Sequence, residues 1–403
     1  MLDEAGLRRG TSSSKDFRLI LAARTLRAFG FGFSAVLVGI YLERKGLTPT
    51  DIGGALAVGL FSASLLSIAF SWASAGIGHR ACLIGAGLLM CATGVDLAIA
   101  DNTWLLVLSG FTGMLGTASV DTGPFGPVEQ AVLAQAVGSS DRNLAFARYW
   151  LSGGLGSAAG GLASAFGTTE AHIQIFFLCY GLIGLTTVAL AALLSPSFDT
   201  PTHSSRLTSA HRWPIAALSG LFAIDSFGGG FVVPAVIAYW LHIRFGANVG
   251  ELGPAFALLS LVGALSFEVS GRLANRIGLI RTMVFTHMPS NVVLVLVSLA
   301  PSFGWAIALL VVRSSMSQMD VPARQAYIVS IVDAPERAAA VAVTGAARGI
   351  AQAAGPILAG IAIQGAALEA PFLIAGGLKI VYDVCLYAGF RGRLGKHEAA
   401  GRA

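Results

Sequence analysis

The sequence predicts an all-α membrane protein of twelve transmembrane helices, arranged as two pseudo-symmetric six-helix bundles. Three observations carry this. Apolar runs of membrane-spanning length recur twelve times, each near the ~20 residues that cross a bilayer. The second half of the chain repeats features of the first at an offset of roughly 200 residues, as transporter repeats do. Charged residues make up only 12% of the 403 residues, about half the share in a soluble domain.

The runs lie near 17–43, 50–75, 81–100, 104–137, 143–166 and 172–194, then 213–242, 251–273, 281–299, 303–332, 338–363 and 371–391. The fourth and tenth exceed a simple span and contain Pro124, Pro127 and Pro322, so kinks or broken ends are expected there. A polar stretch, SPSFDTPTHSSRLTSAHR, separates six runs from six. It divides the chain into a bundle at 1–194, a linker at 195–212 and a bundle at 213–403. The 50 glycines suit closely packed membrane helices.

Net charge is +5, and the basic residues cluster at the ends of apolar runs rather than forming a nucleic-acid patch. With the termini inside, inner segments carry Arg8, Arg9, Lys15, Arg18, Arg80, Arg142, Arg206, Arg212 and the basic C-terminus, while outer loops hold only Arg44, Lys45 and Arg244. The positive-inside rule then makes both termini cytoplasmic. The first sixteen residues are polar and the following run is too long for a signal peptide core. Cys82, Cys91, Cys179 and Cys385 all sit in apolar runs without a CxxC pair, so neither a zinc site nor a disulfide frame is indicated.

The repeat is visible in GFGF at 30–33 against GGGF at 228–231, Tyr41 against Tyr239, Gly78 against Gly278, and Asp121 against Asp320. Gln130-Ala131 answers Gln325-Ala326, and Asp141-Arg142 answers Glu336-Arg337. The turn G-R-L-A-N-R-I-G-L-I-R from Gly271 to Arg281 and its counterpart S-W-A-S-A-G-I-G-H-R ending at Arg80 occupy matching places. This layout resembles the major facilitator superfamily over nearly the whole chain. Its signature, G-x-L-x-D-R-x-G-R-R, is kept in the second copy at Gly271, Leu273, Arg276 and Gly278, with Asn275 where Asp is usual. The first copy keeps Gly78 and Arg80, with Ala75 at the Asp position. The exporters' G-x-x-x-G-P run is represented by Gly156 and Gly160, with Gly161 in place of Pro, and Ser109 stands where proton-coupled exporters carry Arg. The resemblance implies a drug-exporter-like transporter of the bacterial cytoplasmic membrane, acting as a monomer on a small molecule, with spans one, four, seven and ten lining a central cavity.

A charge at the centre of a transmembrane helix costs about 2.5–3.5 kcal/mol on insertion scales and marks a pathway or a pair. Arg27, Asp121, Asp225 and Asp320 fall ten to seventeen residues into spans one, four, seven and ten, roughly 15–25 Å from their helix starts. They are expected to meet in one wet chamber. Asp121, Asp225 and Asp320 are then candidate proton carriers, and Arg27, Arg348 and Arg313 candidate substrate or counter-ion groups. Arg324, four residues after Asp320, makes an i,i+4 pair if the helix survives Pro322. Glu129, Arg148, Arg324, Glu268 and Arg276 are candidate gate residues, Glu268 pairing with Arg272. Lys379 and Asp383, also at i,i+4, are expected to neutralise each other, and His287 to be a hydrogen-bonded interior histidine.

Motifs for other chemistries fail. GxGxxA at Gly30–Ala35 and Gly154–Ala159 follows no soluble strand, so no dinucleotide site is indicated. There is no G-x-x-x-x-G-K-[ST] and no HExxH. Tyr382-Asp383 lacks the GxGD partner of an intramembrane protease. No enzyme, cofactor or nucleic-acid partner is expected. The expectation is a secondary transporter working by alternating access in the lipid bilayer, with proton-coupled export of a small organic compound. Uptake or exchange of an anionic metabolite, and a non-transporting receptor, are the alternatives.

Overall fold

A computed structural model describes residues 2–100, 102–117, 123–137, 142–196, 208–333 and 336–390. Among the described residues all regular structure is helical: α1 (Leu2–Arg44), α2 (Pro49–Ile77), α3 (His79–Ile99), α4 (Thr103–Leu108), α5 (Phe125–Ala136), α6 (Arg142–Ser164), α7 (Glu170–Ala192), α8 (Ser209–Gly230), α9 (Pro234–Phe245), α10 (Val249–Ile277), α11 (Leu279–Ser298), α12 (Phe303–Ser317), α13 (Asp320–Ser330), α14 (Arg337–Ala353), α15 (Gly355–Gln364) and α16 (Ala370–Phe390). Each of the twelve apolar runs is accounted for by these helices. Nine stretches among the described residues are long and apolar enough to span a membrane.

The internal repeat dictates matching helix ends. α1 and α9 both stop before a left-handed glycine, Gly46 at φ 86° and Gly246 at φ 68°, a conformation an L residue adopts only with strain. The next helix opens in both halves with a capping box, Thr48 with Asp51 and Asn248 with Glu251. Thirty residues on, Gly78 and Gly278, at φ 89° and 90°, turn α2 into α3 and α10 into α11. Each cap satisfies backbone donors that the helix itself leaves open. Thr48→Ala is therefore expected to cost about 1 kcal/mol, read as a lower Tm of the purified protein, with Asn248→Ala behaving alike.

Four spans are broken. The fourth divides into α4, a 3-10 turn at Ser109–Thr112 and α5, with Pro124 at the N-cap of α5. The tenth breaks between α12 and α13 at Gln318 and Met319, and Pro322 sits in the first turn of α13, where a missing N–H costs nothing. The seventh parts at Phe231–Val233, before Pro234. The eleventh also parts at Ala354, because Gly355 and Pro356 open a new helix. Here backbones cross too closely for side chains: a Cβ on Gly355 would sit 2.2 Å from the carbonyl carbon of Gly230.

Within the first half α1 packs on α6 and α7, and α3 on α7; within the second α8 packs on α14 and α16, and α11 on α16. Between halves, α2 lies on α14 and α15, α6 on α10, and α1 on α9. The hydrogen bonds described across that boundary favour the end bearing Gly46 and Gly246: Thr50 N–H to Gln364 Oε1 at 3.2 Å, Tyr239 Oη to Glu43 Oε1 at 3.5 Å, Ala235 N–H to the Thr117 carbonyl at 3.1 Å. Ser157 and Ser260 hydroxyls meet at 3.3 Å further in. The halves are thus sealed at that end.

At the opposite end, Glu336 beside the start of α14 anchors the first turn of α8. Its carboxylate accepts from Thr208 N–H at 2.8 Å and faces His211 Nδ1 at 2.6 Å. Burial alone would raise its carboxyl, but the Thr208 donors and His211 outweigh that and hold it below the ordinary carboxylate range.

Candidate functional site

The first half buries an ion pair between Arg27 and Glu129. Arg27, in the middle of α1, donates from both terminal nitrogens to Glu129 of α5, Nη1 to Oε1 at 2.8 Å and Nη2 to Oε2 at 2.6 Å. The side chains are 0% and 2% exposed. Tyr149 of α6 donates its hydroxyl to the same Glu129 oxygen at 3.0 Å. The Phe125 ring lies 4.0 Å from the Arg27 guanidinium carbon. Fork-on-fork geometry, a third donor and an aromatic face are what a desolvated pair needs to persist in a low dielectric. One helical turn earlier, buried Arg24 lies 4.9 Å from the Tyr149 ring centre and 5.5 Å from that of Trp150, close enough for cation–π attraction.

The second half buries a larger network on five helices. Asp225 of α8 accepts from Lys379 Nζ of α16 at 2.6 Å, with His287 Nε2 of α11 and Arg324 Nη1 of α13 each at 3.6 Å. Arg324 also donates to Asp320 at 2.8 Å, so the i,i+4 pair forms on the intact helix beyond the break. Asp320 is the first residue of α13, where the helix dipole favours a carboxylate. Asp383 of α16 accepts from the Asn291 amide at 2.9 Å and faces His287 Nδ1 at 3.0 Å. Arg348 of α14 donates Nε to the Ser226 hydroxyl at 3.1 Å.

These positions redraw the expected chamber. Asp225, Asp320, Arg324 and Arg348 do converge, but Arg27 is held by Glu129 in the other half, and no described ion pair or hydrogen bond joins the two sets. Asp121 lies outside the described residues, as does the side chain of Glu268. Arg313 is half-buried on α12. Arg148 and Arg276 are exposed at the end of α6 and α10 away from the seal. Glu129, grouped with Arg148 as a gate residue, instead takes Arg27. Lys379 and Asp383 do not pair: Lys379 turns to α8 and Asp383 to α11, because each finds a buried partner there that its own helix cannot offer. His287 is an interior hydrogen-bonded histidine, as expected. Arg24, Tyr149 and Asn291 were not among the residues expected from sequence, although Arg24 stands seven residues into the first span, a depth that flags a buried charge.

The two bundles, the matching breaks in the fourth and tenth spans and the charges at midspan describe a transporter scaffold. The sequence matches the model of the Major Facilitator Superfamily over residues 20–312 and again over 218–401. The chain belongs to the Major Facilitator Superfamily. This makes it a multi-pass integral membrane protein of a transporter family, not an enzyme. It is 23% identical to the "Uncharacterized membrane protein YJR124C" of Saccharomyces cerevisiae across 94% of this chain and 95% of that one. Among solved structures, the nucleoside transporter NupG superposes with a TM-score of 0.73 at 11% identity, covering 93% of this chain and all of that one. A bacterial homolog of the human lysosomal transporter Spinster, inward-facing and occupied, gives 0.67 at 16% identity, covering 94% and 95%. The human organic anion transporter MFSD10 gives 0.66 at 16%, covering 93% and 99%. At these identities the likeness speaks for the superfamily fold alone.

Proposed function

We propose that this protein is a monomeric secondary transporter that exports a small organic compound in exchange for protons, by alternating access about a midplane site. The observation that carries the reading is Asp225. It is a buried carboxylate on a broken span, touched by Lys379, His287 and Arg324 from three other helices. A carboxylate with several cations in reach exchanges partners at little cost when the helices shift, and so links protonation to conformation. The basic inner segments favour termini on the cytoplasmic side. The sealed end is then the outer one. Asp320 and Asp121 are the companion carboxylates of this reading, and Glu129, Arg148, Arg324, Glu268 and Arg276 its gate residues.

The test is flux into and out of proteoliposomes under an imposed pH gradient, using a compound selected by ligand-induced thermal stabilisation. Asp225→Asn is expected to lower gradient-driven flux at least tenfold while leaving equilibrium exchange of the compound largely intact. If Asp225→Asn, Asp320→Asn and Asp121→Asn all retain gradient-driven flux, proton carriage by these residues is wrong.

A further inference from the structure

We propose that the solute is an organic oxyanion and that Arg313 and Arg348 form its binding pair, an inference that rests on the transporter reading above and names the substrate class of the same site. A charge inventory carries it. Among the described side chains, the interior of the second half holds three carboxylates, Asp225, Asp320 and Asp383, each already engaged: Asp225 by Lys379 at 2.6 Å, Asp320 by Arg324 at 2.8 Å, Asp383 by Asn291 at 2.9 Å and His287 at 3.0 Å. Against them stand four permanent cations, Lys379, Arg324, Arg313 and Arg348. Even pooled, the network is cationic before His287 is counted. A cationic substrate would find no free carboxylate among these described side chains. An anion would find two guanidiniums that lack one.

Arg348 makes a single described hydrogen bond, to the neutral Ser226 hydroxyl. Arg313 has a buried Nε with no partner at all. Neither makes an ion pair among the described residues. A guanidinium carries five donors and does not lose its proton in a protein. Two such groups inside a bilayer therefore stay expensive until something negative reaches them. Their placement suits a ligand rather than a permanent structural pair. Arg313 lies on α12, just before the break in the tenth span, and Arg348 on α14, just before the break in the eleventh. Both interact electrostatically with Asp225, and both are only half-buried. Beside Arg348, a Cβ on Gly345 would meet nothing within 4 Å, so the helix face one turn away is open. The planar guanidinium fork fits carboxylate and phosphate oxygens in pairs, and two forks on separate broken helices can close on one ligand.

The experiment measures the Tm of the purified full-length chain at fixed ionic strength and without any gradient. The probes are benzoate and glutarate as carboxylates, glycerol 3-phosphate as a phosphate monoester, and choline and benzylamine as cationic counterparts. At least one anion is expected to raise Tm saturably, and the cations are not; which anion does so separates carboxylate from phosphate recognition. Arg348→Gln and Arg313→Gln should each weaken the response at least tenfold. Arg348→Lys and Arg313→Lys keep the charge and protect the fold but lose the fork, and should fall between. Exposed Arg18→Gln should respond like wild type. Binding is read here without any gradient, so loss of the anion response fails this inference, whereas an intact anion response with no gradient-driven flux fails the coupling reading. Stabilisation by the cations instead, no saturable shift with any anion, or a full anion response in all four arginine variants overturns the proposal.

Discussion

Glu129→Ala is expected to destabilise the protein by about 3–5 kcal/mol, the range for breaking a buried ion pair from one side. The loss should appear as a sharply lower Tm and a reduced monodisperse yield in detergent. The reason is the state of Arg27. Its guanidinium is 0% exposed, cannot shed its proton, and loses two short hydrogen bonds at once. Glu129→Gln keeps the shape and one acceptor and should cost less. Tyr149→Phe removes a single donor to an ionised acceptor and should cost about 1.5–3 kcal/mol or less. The informative variant is Arg27→Leu with Glu129→Leu. Removing both charges spares the desolvation of each, so the double variant should recover most of the stability that Glu129→Ala loses. If the double variant folds well yet no longer transports, the pair is a functional lock. If it folds and transports normally, Arg27 and Glu129 serve only insertion and packing. If Glu129→Ala melts like wild type, Arg27 has water or another anion at hand and the pair is not what holds it.

Helix ends are local events, and the sequence spells them out. Gly46, Thr48 and Asp51, and two hundred residues later Gly246, Asn248 and Glu251, announce turn and cap through side chains that act within three or four residues. Hence the spans, the repeat and the fold class are legible. The Asp320–Arg324 pair is legible for the same reason, being one turn apart on one helix. The buried networks are not local. Glu129 lies 102 residues from Arg27, and Lys379 lies 154 from Asp225. Sequence depth places such charges near midspan but says nothing of azimuth. Arg27 therefore reads equally well as a partner of an aspartate in the other half. The Lys379–Asp383 expectation fails on the same point: a local pairing is available, yet each side chain prefers a partner already buried on a neighbouring helix. The break at Ala354 is hidden differently. Gly355 is needed there for the crossing with Gly230, and that contact exists only once two distant helices meet.

Gly53→Val and Gly360→Val are expected to open the sealed end, raising the labelling rate of a cysteine placed at Thr50 in a cysteine-free background by at least tenfold. A Cβ on Gly53 would lie 2.4 Å from the Pro356 carbonyl oxygen, and one on Gly360 would lie 2.3 Å from that of Pro49. Both obstacles are backbone, which cannot rotate aside like a side chain. Non-bonded contact needs about 3.5 Å, so α2 and α15 must part by on the order of 1 Å. That strain exists only where the halves are closed. The same substitutions therefore raise the energy of one state and leave the open state almost untouched, which is the condition for a population shift. A tenfold shift requires a difference of only about 1.4 kcal/mol. Gly54→Val is the control, since its Cβ would meet nothing nearer than the end of the Ile357 side chain at 4.0 Å. Labelling of the Gly53 and Gly360 variants at the wild-type rate would mean that this glycine contact does not hold the end shut. Faster labelling in them, with Gly54→Val unchanged, would tie closure to a backbone contact that only glycine permits. Passage of a solute through that end would then require those helices to separate.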